Sequence, residues 1–322
     1  MNELNSVETF QDDELLYLLD DILGDRRKQY AVKKQISYDC PICSAEKGVE
    51  HDNKGNFEVN YGKGVFKCWA CGDTHNTKGS ISRLIKKFGN KDHLARFRAL
   101  DISFDYNSIM SDLEIKVMEL PQDCISLSTE EGKRIGELGY EYLLSRGIDD
   151  DIIEKHNLFY VYGGKYKNRI LIPSFNIFDE LEFFVTRSIF KNKLKYLNPS
   201  ANKQAIIFNE SMIDWTSPIT LLEGPFDHLV VPNSIPMLGK KFYELLHKKL
   251  YKYAESNIFI ALDGDALDDA VEIYRKLDVG KLKGRIFIVP IPKPTDISEI
   301  YQKEGLEGLK KIFRKAYRLK DL

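Results

Sequence analysis

The sequence predicts a multidomain chain of mixed α+β and α/β class: a small cysteine-built β-ribbon, then a larger unit containing an α/β fold with a mostly parallel sheet. Three observations predict it. Two Cys-x-x-Cys pairs, Cys40 with Cys43 and Cys68 with Cys71, bracket a short glycine-rich stretch. From Pro218 onward, continuous apolar runs alternate with amphipathic ones, as parallel strands covered on both faces by helices do. A length of 322 residues with 43% hydrophobic content exceeds one small module and fills two or three domains.

Charge divides unevenly along the chain. The first 25 residues hold eight acidic and no basic residues, whereas residues 26–98 hold sixteen basic against seven acidic. The net charge of −2 therefore hides a basic block around the cysteines. Such a block suits a polyanion, because each Lys or Arg over a phosphate releases counterions; a solvated surface is the plainer alternative. No run of eighteen apolar residues occurs and the N-terminus has no signal-peptide pattern, so no membrane contact is expected. Five cysteines, four of them paired, fit a metal site in a reducing cytoplasm better than a disulfide scaffold.

In chain order, the segment from Asp12 to Leu23 spaces Leu15, Leu16, Leu18, Leu19, Ile22 and Leu23 as an amphipathic helix, the core of an acidic arm over 1–28. Residues 29–100 read as the ribbon domain. Their turn-rich pieces from Tyr38 to Gly72 end in the helix ISRLIKKFG, with Ile81, Leu84, Ile85 and Phe88 on one face. Residues 101–128 are weakly patterned, a linker in which Cys124 reads as an ordinary thiol. Within 129–217, GYEYLLSRGIDDDIIEKH suits two short helices broken at Gly147. NRILIPSFN and ELEFFVTRSIF suit strands joined by the turn NIFDE. Residues 218–300 supply strands in ITLLEG, NIFIALDGD and GRIFIVPIP. Between them lie helices from Phe242 to Tyr251 and over ALDDAVEIYRKL. A C-terminal helix, from about Leu306, closes the chain within 301–322.

Zinc takes four ligands in a tetrahedron, which Cys40, Cys43, Cys68 and Cys71 supply as two knuckles on a hairpin-length insert. Four thiolates leave no open position, so the metal is expected to be structural. His51 and His75 are the competing ligands. Around the second knuckle stand Lys67 and Trp69, an aromatic beside a cation that can stack a base while holding phosphate. Trp69 packed beneath the ribbon is the equal alternative.

Acidic motifs fall where the α/β pattern places the carboxyl ends of strands: Glu223 in LLEGPFD, Asp263 and Asp265 in ALDGD, and Asp296 in PKPTD. Ligands of open parallel sheets bind outside those ends, and hard divalent cations need several oxygen donors. Asp227, four residues after Glu223, joins the set as a further candidate. Asp265 has the plainer reading of a helix cap.

Together, EGxxD at Glu223 and Asp227, the Asp263-Gly264-Asp265 triplet and the later Asp296 resemble the Toprim signature, shared by primases, topoisomerases, recombination mediators and some nucleases. The preceding segment decides among them. Asn168-Arg169 before ILIP, Arg187 in FVTRSIF, and Lys195-Tyr196-Leu197-Asn198 resemble the basic-cleft motifs of bacterial DNA primases. SRGIDDDIIEKHNL resembles the opening of their polymerase domain, and the ribbon followed by KGSISRLIKKFG matches their N-terminal order. From about Cys40 to Lys303 the chain thus resembles the bacterial and phage-type DNA primase family, a zinc ribbon before a Toprim polymerase domain. The all-cysteine ribbon and DGDALDDA are closer to a phage subgroup. Ser298 stands where many members carry a further acid near the metal.

The resemblance implies DNA-templated synthesis of short RNA primers from ribonucleoside triphosphates on single-stranded DNA. It implies one structural zinc and one or two Mg²⁺ or Mn²⁺ ions on Glu223, Asp263, Asp265 and Asp296, with Glu223 as ligand or general base. Asn168, Arg169, Arg187, Lys195, Tyr196 and Asn198 would line the nucleotide and template cleft. A separate replicative helicase is the expected partner, in the cytoplasm of a bacterial cell or a phage-infected host. Two other readings stay open: a single-stranded-DNA-binding adaptor with an inactive Toprim domain, and a Toprim nuclease.

Overall fold

The computed structural model describes residues 2–62, 64–72, 74–75, 77–100, 117–191, 194–239 and 241–319. The chain divides into two units, Met1–Leu113 with Ile177–Asp179, and Glu114–Asn176 with Glu180–Leu322. No helix among the described residues is long and apolar enough to cross a membrane.

The first unit opens with helix α1 (Asn2–Leu23), followed by strands β1 (Lys28–Tyr30) and β2 (Gln35–Tyr38) and helix α2 (Pro41–Glu46). Strands β3 (Phe57–Asn60), β4 (Val65–Cys68) and β5 (Lys78–Ser80) complete an antiparallel sheet in simple sequential order, and α3 (Ile81–Phe88) and α4 (Lys91–Ala99) follow. The acidic segment docks by its apolar face within this unit. Its Leu15, Leu16, Leu18, Leu19 and Leu23 are buried in one core with Ile36, Phe57, Val59 and Phe66 of the sheet. Each buried leucine contributes roughly 1.5–3 kcal/mol, more than a surface ion pair does, so the apolar face decides where the helix sits. Arg26 then pins the helix end, donating to both oxygens of Asp20 at 2.7 and 2.6 Å. Ser80 caps α3 by accepting from the Arg83 amide at 3.2 Å.

The second unit combines two sheets. Strands β6 (Cys124–Ser126), β7 (Phe159–Val161), β8 (Arg169–Phe175) and β9 (Leu181–Ser188) form an antiparallel sheet, with helices α5 (Glu130–Ile135), α6 (Glu137–Ser145) and α7 (Asp150–Lys155) inserted after β6. Of the expected linker, residues 101–116 lie outside the described residues, while Cys124 belongs to an edge strand rather than a connection. Three residues are too few for their alternation to register in the sequence.

Next come β10 (Ile219–Leu222), α8 (Pro225–Val230), β11 (Ser234–Pro236), α9 (Glu244–Tyr253), β12 (Ile258–Ala261), α10 (Leu267–Leu277), β13 (Ile286–Ile288) and α11 (Ile297–Phe313). The strands pair in parallel in the order β11-β10-β12-β13. Every residue of β10 is buried, Thr220 included, as a strand covered on both faces requires. The C-terminal helix starts nine residues earlier than its sequence pattern suggests, at Ile297 rather than Leu306. Gly305 breaks the helix with a left-handed φ of 60°, so the two halves present separate periodicities. Ile170, Ile172 and Phe183 of the antiparallel sheet share a core with Leu222, Phe226, Ala261 and Ile297, which brings the carboxyl ends of β10, β12 and β13 against the β8–β9 hairpin.

Candidate active site and metal centre

The four paired cysteines meet. Their Sγ atoms lie within 4.8 Å of one another, all buried, with Cys40 and Cys71 3.5 Å apart and Cys43 and Cys68 3.8 Å apart. A Cβ at Gly72 would run into the Cys68 carbonyl oxygen, so the second knuckle needs glycine there. Hydrogen bonding from the Cys40 thiol holds Cys68 down to about 5, and burial pushes Cys43 up to about 12. A group of thiols forced together, one of them already acidic, fits a thiophilic cation bound by thiolates, and this cluster supports a structural zinc. The histidines are engaged elsewhere: His75 faces Glu46 at 3.2 Å and His51 faces Asp39 at 3.8 Å. Trp69 does not pack beneath the ribbon. It is 60% exposed, donates from Nε1 to Glu58 at 2.6 Å, and carries the Lys67 ammonium 4.8 Å from its ring centre.

In the second unit, a cavity of about 280 Å³ opens at the carboxyl ends of the parallel strands. Glu223 follows β10, Asp227 lies in α8, Asp263 follows β12, and Asp296 caps α11; all four line the cavity. Glu223 and Asp263 sit there because each strand ends in a turn, where a partly exposed acid is tolerated, while Asp227 and Asp296 are brought by the helices that follow. Asp227 is buried, and burial, then the nearby charges of Asp296 and Asp263, push its carboxyl up to about 7. One of its oxygens accepts from the Ser298 amide at 2.9 Å. A carboxyl pushed up first by burial and then by neighbouring carboxylates is the condition a divalent cation relieves, so the donor set fits a hard metal. Asp265 behaves differently: it is exposed and is not part of the cavity wall, and no side chain caps the start of α10.

The opposite wall is basic and aromatic. Arg187 of β9 lies over the Phe226 ring at 4.3 Å and donates to the hydroxyls of Tyr142 and Tyr196, both at 2.9 Å. Lys195, Tyr196 and Asn198 line the same cavity, with Asn198 held by the Thr186 amide at 3.2 Å. Burial pushes the Tyr196 hydroxyl up to about 12, so it stays protonated at neutral pH.

No family model matches the sequence. The DNA primase of Lactococcus lactis is 24% identical over 320 residues, covering 79% of this chain and 48% of that protein. The DNA primase of Thermotoga maritima is 22% identical over 314 residues, covering 81% of this chain and 54% of that protein. A solved DnaG primase catalytic domain bound to single-stranded DNA shares the fold, with a TM-score of 0.51 at 16% identity over 58% of this chain and 74% of that one. The chain is thus similar to bacterial DNA primases, in sequence over about four fifths of its length and in fold over 58% of it. It spans about half the length of the curated relatives it matches.

Two residues expected in the nucleotide and template cleft, Arg169 and Asn168, are not among those that line this cavity. Arg169 is buried, and its guanidinium donates to the carbonyls of Leu194 and Lys195 at 2.9 and 3.3 Å. It thereby holds the segment that carries Lys195. Asn168 takes a left-handed turn at φ 58° and accepts from the Tyr160 hydroxyl at 2.9 Å. Conversely, Lys203 lines the cavity without having been expected there. It sits in a short 3-10 turn after Asn202, and a polar turn of three residues carries no periodic signal. Tyr142 and Phe226, which hold Arg187, likewise read only as ordinary core residues.

Proposed function

We propose that this chain comprises the zinc-binding and polymerase parts of a DNA primase, joining ribonucleotides on a single-stranded DNA template by metal-dependent nucleotidyl transfer. One observation carries the reading: four acids at the ends of parallel strands face Arg187, Lys195 and Lys203 across a single cavity. Acids on one side and cations on the other suit a substrate that brings both a metal and phosphates. On this reading residues 29–100 carry the zinc ribbon, 129–217 the N-terminal part of the polymerase domain and 218–300 its catalytic part.

Glu223, Asp263 and Asp296 would hold Mg²⁺ or Mn²⁺, with the more buried Asp227 lining the same cavity and the exposed Asp265 outside its wall. When bound, such an ion offsets the charge that develops on the phosphoryl and leaving oxygens. In the reaction, the 3′-hydroxyl oxygen of one nucleotide bonds to the α-phosphorus of the next, the bond to the β-phosphate oxygen breaks, and pyrophosphate leaves. Glu223 serves as ligand or as acceptor of the hydroxyl proton; residual slow synthesis by Glu223→Gln protein would mark the second role. Arg187 is oriented by Tyr142 and Tyr196 before any substrate arrives, so its contact with phosphate needs little reordering. Lys195 and Lys203 add positive charge to the same cavity. Lys67 and Trp69 offer a separate patch for the template strand. A replicative helicase is the expected partner and the cytoplasm the expected location.

The test is incubation of the full chain with labelled ribonucleotides, Mg²⁺ or Mn²⁺, and a pool of single-stranded templates. Short template-dependent oligoribonucleotides are expected. Strand binding without turnover would instead identify an adaptor, and loss of template without nucleotides a nuclease.

A further inference from the structure

We propose that Arg146 is a positioning residue of the metal site, acting on Asp296 through the hydroxyl of Ser298. Arg146 lies at the C-terminal end of α6, 152 residues before Ser298 in sequence. Its Nη2 donates to Ser298 Oγ at 3.0 Å, and Ser298 Oγ is 2.9 Å from Asp296 Oδ1. The direction of this chain of bonds is forced. A guanidinium has no acceptor, so the single hydroxyl hydrogen of Ser298 cannot point back at Arg146 and is delivered to the carboxylate.

The same Oδ1 also accepts from the Glu299 amide at 2.7 Å. Two donors therefore fix one oxygen of Asp296, while no hydrogen bond among the described residues occupies Oδ2, on a residue that lines the cavity. The Ser298 amide meanwhile donates to Asp227 Oδ1 at 2.9 Å, so one residue sets the orientation of two of the four acids. Ser298 is buried, which strengthens each of these bonds. Arg146 makes no ion pair among the described residues.

The hydroxyl matters chemically. An arginine paired directly with Asp296 would compete with a cation for the carboxylate charge. A neutral hydroxyl between them orients the carboxylate and leaves its charge available to the ion. The inference rests on the metal-dependent reading above, but its test does not require RNA synthesis.

Titrate the full chain with Mn²⁺ alone, without nucleotide, following free Mn²⁺ by electron paramagnetic resonance. Ser298→Ala keeps the amide bond to Asp227 and deletes only the bridge. It is expected to weaken Mn²⁺ binding about tenfold, the scale of one hydrogen bond to a charged group. Arg146→Ala should weaken it comparably, and the double variant should be no worse than either single one. In synthesis assays the half-saturating metal concentration should rise while the plateau rate at high metal is largely kept. Mn²⁺ affinity of Ser298→Ala within about twofold of the parent, or additive effects in the double variant, overturns the proposal. If Arg146→Ala does not fold, Ser298→Ala in an Asp296→Asn background decides: a relay through Asp296 predicts no further loss there, and an undiminished loss refutes it. A parent protein that binds Mn²⁺ with the expected Ser298 effect but makes no RNA would sink the primase reading and leave this one standing.

Discussion

Glu182 offers a test of the second unit that is independent of any metal. It lies on β9, buried beside an ion pair in which the Lys249 ammonium donates to both oxygens of Glu210 at 2.7 and 2.8 Å. Burial, then the charge of Glu210, push the Glu182 carboxyl from 4.5 up to about 8, against the pull of Lys249 and of Ser174, which donates to it at 3.3 Å. A folded-state value above the unfolded one means that the stabilising contribution is fully present below pH 4.5 and is lost as pH rises through about 8. At roughly 1.4 kcal/mol per unit, the shift from 4.5 to about 8 caps the loss near 5 kcal/mol.

Glu182→Gln keeps an oxygen for Ser174 and cannot ionise. Its stability advantage is therefore expected to grow from about 2 kcal/mol at pH 6 toward about 5 kcal/mol above pH 8. Of the two tryptophans, Trp215 is buried in this unit and Trp69 is mostly exposed, so urea unfolding followed by tryptophan emission reports the right transition. A difference between parent and variant that stays constant from pH 6 to pH 9 would refute the reasoning.

Three further outcomes are expected. Cys68→Ser should lose zinc and unfold the ribbon while the second unit, whose core is separate, keeps its transition; retained zinc by metal analysis would discard the ligand assignment. Folded Asp263→Asn should lose at least about a hundredfold in dinucleotide synthesis across a Mg²⁺ and Mn²⁺ titration, since it keeps the shape and removes the charge. Near-normal rates would put the metal elsewhere. Lys203→Ala should lower the salt slope of template or nucleotide binding by about one contact. Arg169→Ala should weaken binding without that change in slope, because its guanidinium faces carbonyls and not the cavity; equal slopes for the two variants would contradict these placements.

The elements legible in the sequence are those whose chemistry repeats locally. Two Cys-x-x-Cys pairs have few stable uses other than a shared metal, and the Sγ atoms do converge. The apolar runs ITLLEG, NIFIAL and GRIFIV need cover on both faces, which implies a parallel sheet and places the acids at one end of it. The leucine spacing of α1 likewise announces a buried face, though not its partner, because periodicity says that a face is covered and never by what.

Tertiary structure alone decided the finer roles. Arg169 and Arg187 look alike in sequence, each a lone arginine on an apolar strand. They pair directly against neighbouring positions of β8 and β9, yet one guanidinium ends on backbone carbonyls and the other in the cavity. Asp263 and Asp265 are two residues apart, and the turn between them sends only Asp263 to the cavity wall. Lys203 and the Arg146–Ser298–Asp296 chain join residues far apart in sequence, so no local pattern marks them. Sequence determines which residues can do chemistry and which faces must be buried, since both follow from side-chain type and spacing. Which of those side chains share one cavity is set by long-range packing of the two sheets, and that information exists only once the core has formed.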